Sequence, residues 1–170
     1  MSAGEGLVVD REKGELRIFG GRFTAVNAQM FCDLLDALVG TTVSAVQMHS
    51  VESRLGKEDV ERIRRERPQA TVQEIINLLI ETDCVSGVGI TRVTLSGNQD
   101  GPIFVEISNP SVKGTVGAAK TFGLSWWAGA MSALFNRPFD LKDVVYDKDG
   151  NMTKGRLVPR PVAVQEAKVT

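Results

Sequence analysis

The sequence predicts an α+β domain in which N-terminal helices pack on an antiparallel sheet of two hairpins, with a central apolar helix between them. Three observations predict it. Apolar residues recur with helical spacing up to about Gly87. Beyond that glycine the pattern switches to strict alternation, in two separate stretches. A single continuous apolar segment, Phe122 to Phe135, stands between the two alternating stretches.

Glu15 to Phe19 reads as a short strand closed by Gly20 and Gly21. A helix follows from about Thr24 or Asn27 to Val39, with Phe31, Leu34, Leu35 and Leu38 on one face and Gly40 as its stop. Thr41 or Thr42 caps a second helix through Val43, Val46, Val51 and Leu55, stopped near Gly56. Lys57 to Arg67 reads as a separate, highly charged helix ended by Pro68. Thr71 and Glu74 form a capping box that launches an apolar helix through Ile75, Ile76, Leu79 and Ile80. Thr82 to Gly87, which includes Cys84, reads as a loop.

Thr91, Val93 and Leu95 alternate with Ile90, Arg92 and Thr94, and Ile103, Val105 and Ile107 alternate with Phe104 and Glu106. The turn residues Ser96 to Gly101 between them make this a hairpin. A long loop, Asn109 to Lys120, leads into the apolar helix. Phe139 to Tyr146 and Met152 to Val158 give the second hairpin, around Asp147 to Asn151. The chain is expected to form one domain over residues 1–160, with 161–170 a flexible tail.

The central helix holds both tryptophans of the chain, Trp126 and Trp127. At about 100° per residue its apolar side chains sweep roughly 240°. A surface helix of a globular domain needs a stripe of only about 100°. Cover beyond the sheet is therefore expected, from a second protomer, an apolar ligand or both.

Net charge is −1, with 42% apolar and 24% charged residues, which fits a soluble globular protein and gives no global field toward nucleic acid. The basic run Arg62-Ile63-Arg64-Arg65 is interleaved with Glu61 and Glu66 and reads as a solvated helix face. The N-terminus lacks the basic and apolar regions of a signal peptide, and no apolar run of about 18 residues spans a membrane, so a cytoplasmic location is expected. Cys32 and Cys84 have no metal-knuckle spacing, and their pairing is left open by the sequence.

Several motifs suggest chemistry, each with a plainer rival. Gly114 to Thr121 is one residue from a phosphate-cradling loop, with Ala119 where a glycine is needed. A small-residue loop passing close to another segment is the preferred reading. His49 and Glu52 would share a helical face as a surface pair, since one His-x-x-Glu without a third ligand makes no metal site. Asp33 and Asp36, and likewise Glu58 and Asp59, read as solvated helix faces. Asp147, Asp149 and Asn151 resemble the start of a calcium loop, but Val158 stands where its glutamate would be, so a hairpin turn is preferred. No linked nucleophile, base and orienting group is found, so no catalytic residue, cofactor or metal is assigned.

The segment Phe104-Val105-Glu106-Ile107-Ser108-Asn109-Pro110, the helix Gly123-Leu124-Ser125-Trp126-Trp127-Ala128-Gly129-Ala130 and the closing hairpin resemble the 4-vinyl reductase-type domain, a predicted hydrocarbon-binding domain of archaeal and bacterial proteins. Gly14 to Gly40, with its Gly21-Arg22 step, matches more loosely. The resemblance implies an α+β domain, related to those of nitric-oxide-signalling and Golgi-tethering proteins, that dimerises and buries a small apolar ligand. Many members carry a cysteine cluster on the last hairpin. Val144 to Val158 contains none, so metal is not expected there.

The function expected is a homodimeric binding module for a hydrocarbon or acyl chain. Trp126, Trp127, Met131 and Phe135 would line the pocket or dimer seam, Phe122 and Leu134 would face the sheet, and Lys120 would meet a carboxylate head. The alternatives are a scaffolding subunit without a ligand and an enzyme acting on a nucleotide or tetrapyrrole through the Gly114–Thr121 loop. No nucleic acid and no membrane span are expected.

Overall fold

The computed structural model describes residues 7–10, 15–18, 21–23, 27–97, 101–147 and 149–161. Strands β1 (Leu7–Asp10), β2 (Glu15–Ile18) and β3 (Gly21–Phe23) pair antiparallel in that order. Only β2 was legible in the sequence, and Phe19 lies outside the described residues. So does the expected tail, except Pro161.

Four helices follow. Helix α1 (Ala28–Val39) starts at Asn27, whose side chain accepts from the Met30 amide, and ends at Gly40 with φ 79°. Helix α2 runs unbroken from Thr41 to Glu66, so the expected break at Gly56 is absent. Gly56 serves packing instead of termination. Helix α2 starts at Gly40 with no side-chain cap, so neither threonine caps it. Helix α3 (Val72–Ser86) carries the predicted capping box and ends on Gly87 in the left-handed region. The segment read as a loop around Cys84 is thus the last turn of α3.

Strands β4 (Ile90–Leu95) and β5 (Ile103–Ser108) form the first predicted hairpin, and β6 (Phe139–Tyr146) and β7 (Met152–Pro159) the second. The sheet order is β4-β5-β7-β6 and every pairing is antiparallel. Asp147 closes the second turn by accepting from the Asn151 and Met152 amides, at 2.7 and 3.2 Å. That is hairpin chemistry, in line with the reading against a calcium loop.

The apolar helix, α4 (Leu124–Leu134), follows a 3-10 turn at Gly117–Thr121. One side of α4 lies on the sheet, where Leu124, Trp127, Ala130, Met131 and Leu134 join Ile103, Val105, Ile107 and Leu157 in the main core. Its other side is covered by α2 of the same chain. The two helices meet glycine to backbone: a Cβ on Gly129 would stand 1.8 Å from the Ser53 carbonyl oxygen. The wide apolar arc of α4 therefore finds its cover within the chain.

Helix α1 departs from expectation in the opposite sense. Cys32 is fully buried, with Leu35 and Ala28 partly so, whereas Phe31, Leu34 and Leu38 of the supposed core face are exposed. Leu38 is 71% exposed and Val46 of α2 is 67% exposed. The unpartnered apolar face of the described residues thus lies on α1 and the first half of α2.

Candidate functional site

Helix α2 buries a seam of Ser44, Met48, Glu52, Gly56, Val60 and Ile63, spaced by four and once by three. Beside that seam opens a cavity of about 480 Å³, walled by α1, α2, α3 and the start of α4. Phe31, Val51 and Leu55 stand exposed at its mouth, while Met48, Ile63 and Leu79 are buried within. Phe122 and Trp126 complete the aromatic wall. Volume and lining are those of small-molecule sites in general, mostly apolar with few polar groups.

Three carboxyls and one guanidinium are the charged members of the lining: Glu52, Asp59, Asp83 and Arg62. Asp59 Oδ2 accepts from Trp126 Nε1 at 3.0 Å, and Asp59 Oδ1 pairs with Arg62. Asp83 Oδ2 accepts from Trp127 Nε1 at 2.7 Å and from Thr91 Oγ1 at 2.5 Å. Adjacent indoles, stacked edge to face at 5.3 Å between centroids, are thereby tied to two different helices. Buried indole N–H groups need such acceptors.

Glu52 is held differently. Its Oε1 accepts from the Gly123 amide at 2.9 Å, at the entry to α4. Its Oε2 is buried and has no partner. A buried acceptor left unmet costs about 1–3 kcal/mol in general. Burial pushes the Glu52 carboxyl up to about 8; the Gly123 amide opposes this and the Asp83 charge adds to it. Burial likewise raises Asp83 to about 6, against the bonds from Thr91 and Trp127. Asp59 is raised by burial and pulled back by Arg62 and Trp126.

The sequence-predicted site residues separate into groups. Trp126 and Phe122 line the cavity. Trp127, Met131 and Leu134 are buried in the main core. Phe135 borders a distinct hollow with Phe139 and Arg137 at the far end of α4. Lys120 is exposed and outside the cavity lining.

The rival motifs resolve on geometry. In the Gly114–Thr121 loop the Ala118 amide donates to Asp36 Oδ1 at 2.9 Å, and Ser44 Oγ donates to the same oxygen. A carboxylate of the chain thus occupies the position an anionic ligand would need, and Asp36 is no solvated residue. His49 does not pair with Glu52; its Nδ1 lies 2.8 Å from Ser125 Oγ, and burial lowers its pKa. Arg64, read as part of a solvated face, donates to the Ala133 and Leu134 carbonyls at 3.0 and 2.8 Å and closes the C-terminal end of α4. Cys32 and Cys84 are both free thiols. Among the described residues no cluster of three possible metal ligands occurs, and no helix is long and apolar enough to cross a membrane.

No family model and no curated protein matches the chain. Among solved structures it is similar to the phenol-responsive sensory domain of the transcription activator PoxR, crystallised with phenol. The TM-score is 0.70 at 14% sequence identity, over 92% of this chain and 86% of that one. At this identity the likeness establishes a shared fold. Glu52, Asp59 and Asp83 are the site residues that sequence reasoning missed. For Glu52 and Asp59 the available signal was their i+3 and i+4 spacing with Met48, Gly56 and Ile63 on α2, and for Asp83 its i+4 spacing from Leu79 on α3, apolar seams whose polar members disguise them.

Proposed function

We propose that the chain is a binding module for a small, mainly apolar molecule, acting without catalysis. The observation that carries this reading is the cavity beside α2, apolar in its walls and faced by Trp126. A domain of the same fold that is described as phenol-responsive supports it. The resemblance to the 4-vinyl reductase-type domain agrees with the same reading.

The module is further proposed to work as a homodimer. Exposed Leu34, Leu38, Val43 and Val46 on α1 and α2 offer an apolar surface that a second copy would cover. Phe31, Val51 and Leu55 at the cavity mouth adjoin it on the same helices. A cytoplasmic location is kept as part of the proposal.

Titration with ethylbenzene, a neutral apolar probe, tests the reading. Tryptophan emission should shift saturably, and Trp126→Phe should remove most of the shift. A spectrum unchanged up to the solubility limit would refute the binding function. Light scattering of Leu38→Glu and Val46→Glu against the parent chain tests the dimer, which both changes should weaken.

A further inference from the structure

The unmet oxygen of Glu52 says more about the occupant, given that the cavity is a ligand site. Asp59 has both oxygens engaged, by Trp126 and Arg62, and Asp83 Oδ2 receives two donors. Glu52 Oε2 alone among these groups is buried with no donor supplied by the chain. We propose that the cavity takes an apolar amine as its ammonium ion, with an N–H donated to Glu52 Oε2 and the hydrocarbon part against Phe31, Met48, Leu55, Phe122 and Trp126.

The charges facing Glu52 select this class. The charge of Glu52 interacts with Asp83 on α3, Cys32 on α1 and Tyr146 on β6. Burial pushes the Cys32 thiol up to about 12 and also raises the Tyr146 phenol, so both are neutral near pH 7. Arg62, the cation in the lining, is paired with Asp59 along the same helix. The surroundings of Glu52 are therefore negative or neutral. An anionic ligand such as a fatty acid is repelled by them, and Lys120, exposed and outside the cavity lining, does not offset that repulsion. A neutral alcohol can fill Oε2 but gains nothing from the charge, whereas an ammonium gains from Glu52 and Asp83 together. On binding, the Glu52 carboxyl gives its proton to solvent and the amine keeps its own.

Three probes of one shape decide the matter: 2-phenylethylamine, 2-phenylethanol and 3-phenylpropionate. Each is titrated calorimetrically into the full chain at pH 7, in two buffers of different ionisation enthalpy. The amine should bind at least about tenfold tighter than the alcohol, release protons on binding, and outcompete the acid by more. Glu52→Gln should lower the amine-to-alcohol ratio severalfold, with Asp83 keeping a remnant of the preference. If the alcohol binds as tightly as the amine, or the amine releases no proton, the proposal falls while the binding function stands. If none of the three probes nor ethylbenzene binds, both fall. Should Glu52→Gln not fold, the parent chain's affinity order and proton release still decide.

Discussion

Gly56 lies so close beneath Trp126 that a Cβ on it would stand 2.0 Å from the Trp126 carbonyl oxygen and 2.9 Å from the Ala130 amide nitrogen. Backbone cannot swing aside as a side chain can, so α2 and α4 would have to separate. Gly56→Ala and Gly129→Ala should each cost about 3 kcal/mol or more. Gly97→Ala, where a Cβ meets nothing within 4 Å, should be silent within about 0.5 kcal/mol. Urea unfolding of the three variants checks this, and a mild effect at Gly56 would mean the crossing is looser than described.

That glycine also shows where sequence reasoning reached its limit. Hairpins, the capping box and the apolar central helix were legible because each is written locally, in alternation, in a Thr-x-x-Glu spacing or in a turn. Glycine inside a helix carries two meanings, stop or close approach, and only the tertiary partner distinguishes them. The α1 face failed for a related reason: Phe31, Leu34 and Leu38 make a good amphipathic stripe, but the chain turns Cys32 inward. At the site, Trp126 and Phe122 were legible as aromatic bulk. Glu52 was not, because an acid on a polar-looking helix betrays its burial only once α4 is laid across it.

The raised carboxyls make stability depend on pH in a definite direction. Folded Glu52 holds its proton up to about 8 and Asp83 up to about 6, above their ordinary values of 4.5 and 3.8. Between these values the folded chain binds more protons than the unfolded one, so stability falls as pH rises from about 4 to about 8. His49, lowered by burial, works the other way near its ordinary value of 6.5. The ligand-free chain should melt at a higher temperature at pH 5 than at pH 8.5. Glu52→Gln should be stabilising at pH 8.5, on the order of 4 kcal/mol, and nearly neutral at pH 5. A melting temperature that climbs steadily with pH would contradict the burial of these acids.

The two thiols should differ sharply. Cys32 is fully buried and its pKa is pushed up to about 12, by burial first and then by Glu52, Asp36 and Asp33. Cys84 is exposed near the end of α3. The thiolate is the reactive form. A colorimetric thiol reagent at pH 8 should therefore titrate one cysteine in the native chain and two after denaturation, and Cys84→Ser should abolish the native signal. Fast labelling of Cys32 would show that α1 opens readily.

Asp36 fastens α1 to the loop before α4, with Oδ1 accepting from the Ala118 amide at 2.9 Å and from Ser44 Oγ. Replacing it by alanine leaves a buried amide and a buried hydroxyl without that carboxylate, a loss of about 2 kcal/mol. The same contact decides the nucleotide reading of this loop. Millimolar ATP or phosphate should leave the melting temperature of the parent chain unchanged, because the carboxylate already fills the amide position. Asp36→Ala makes the stricter test. If the loop were an anion site merely blocked by Asp36, phosphate should restore the stability lost in this variant. If the loop is structural, the loss should persist at every phosphate concentration, as expected from an exposed Lys120 and from Ala119 in place of the glycine such a cradle requires.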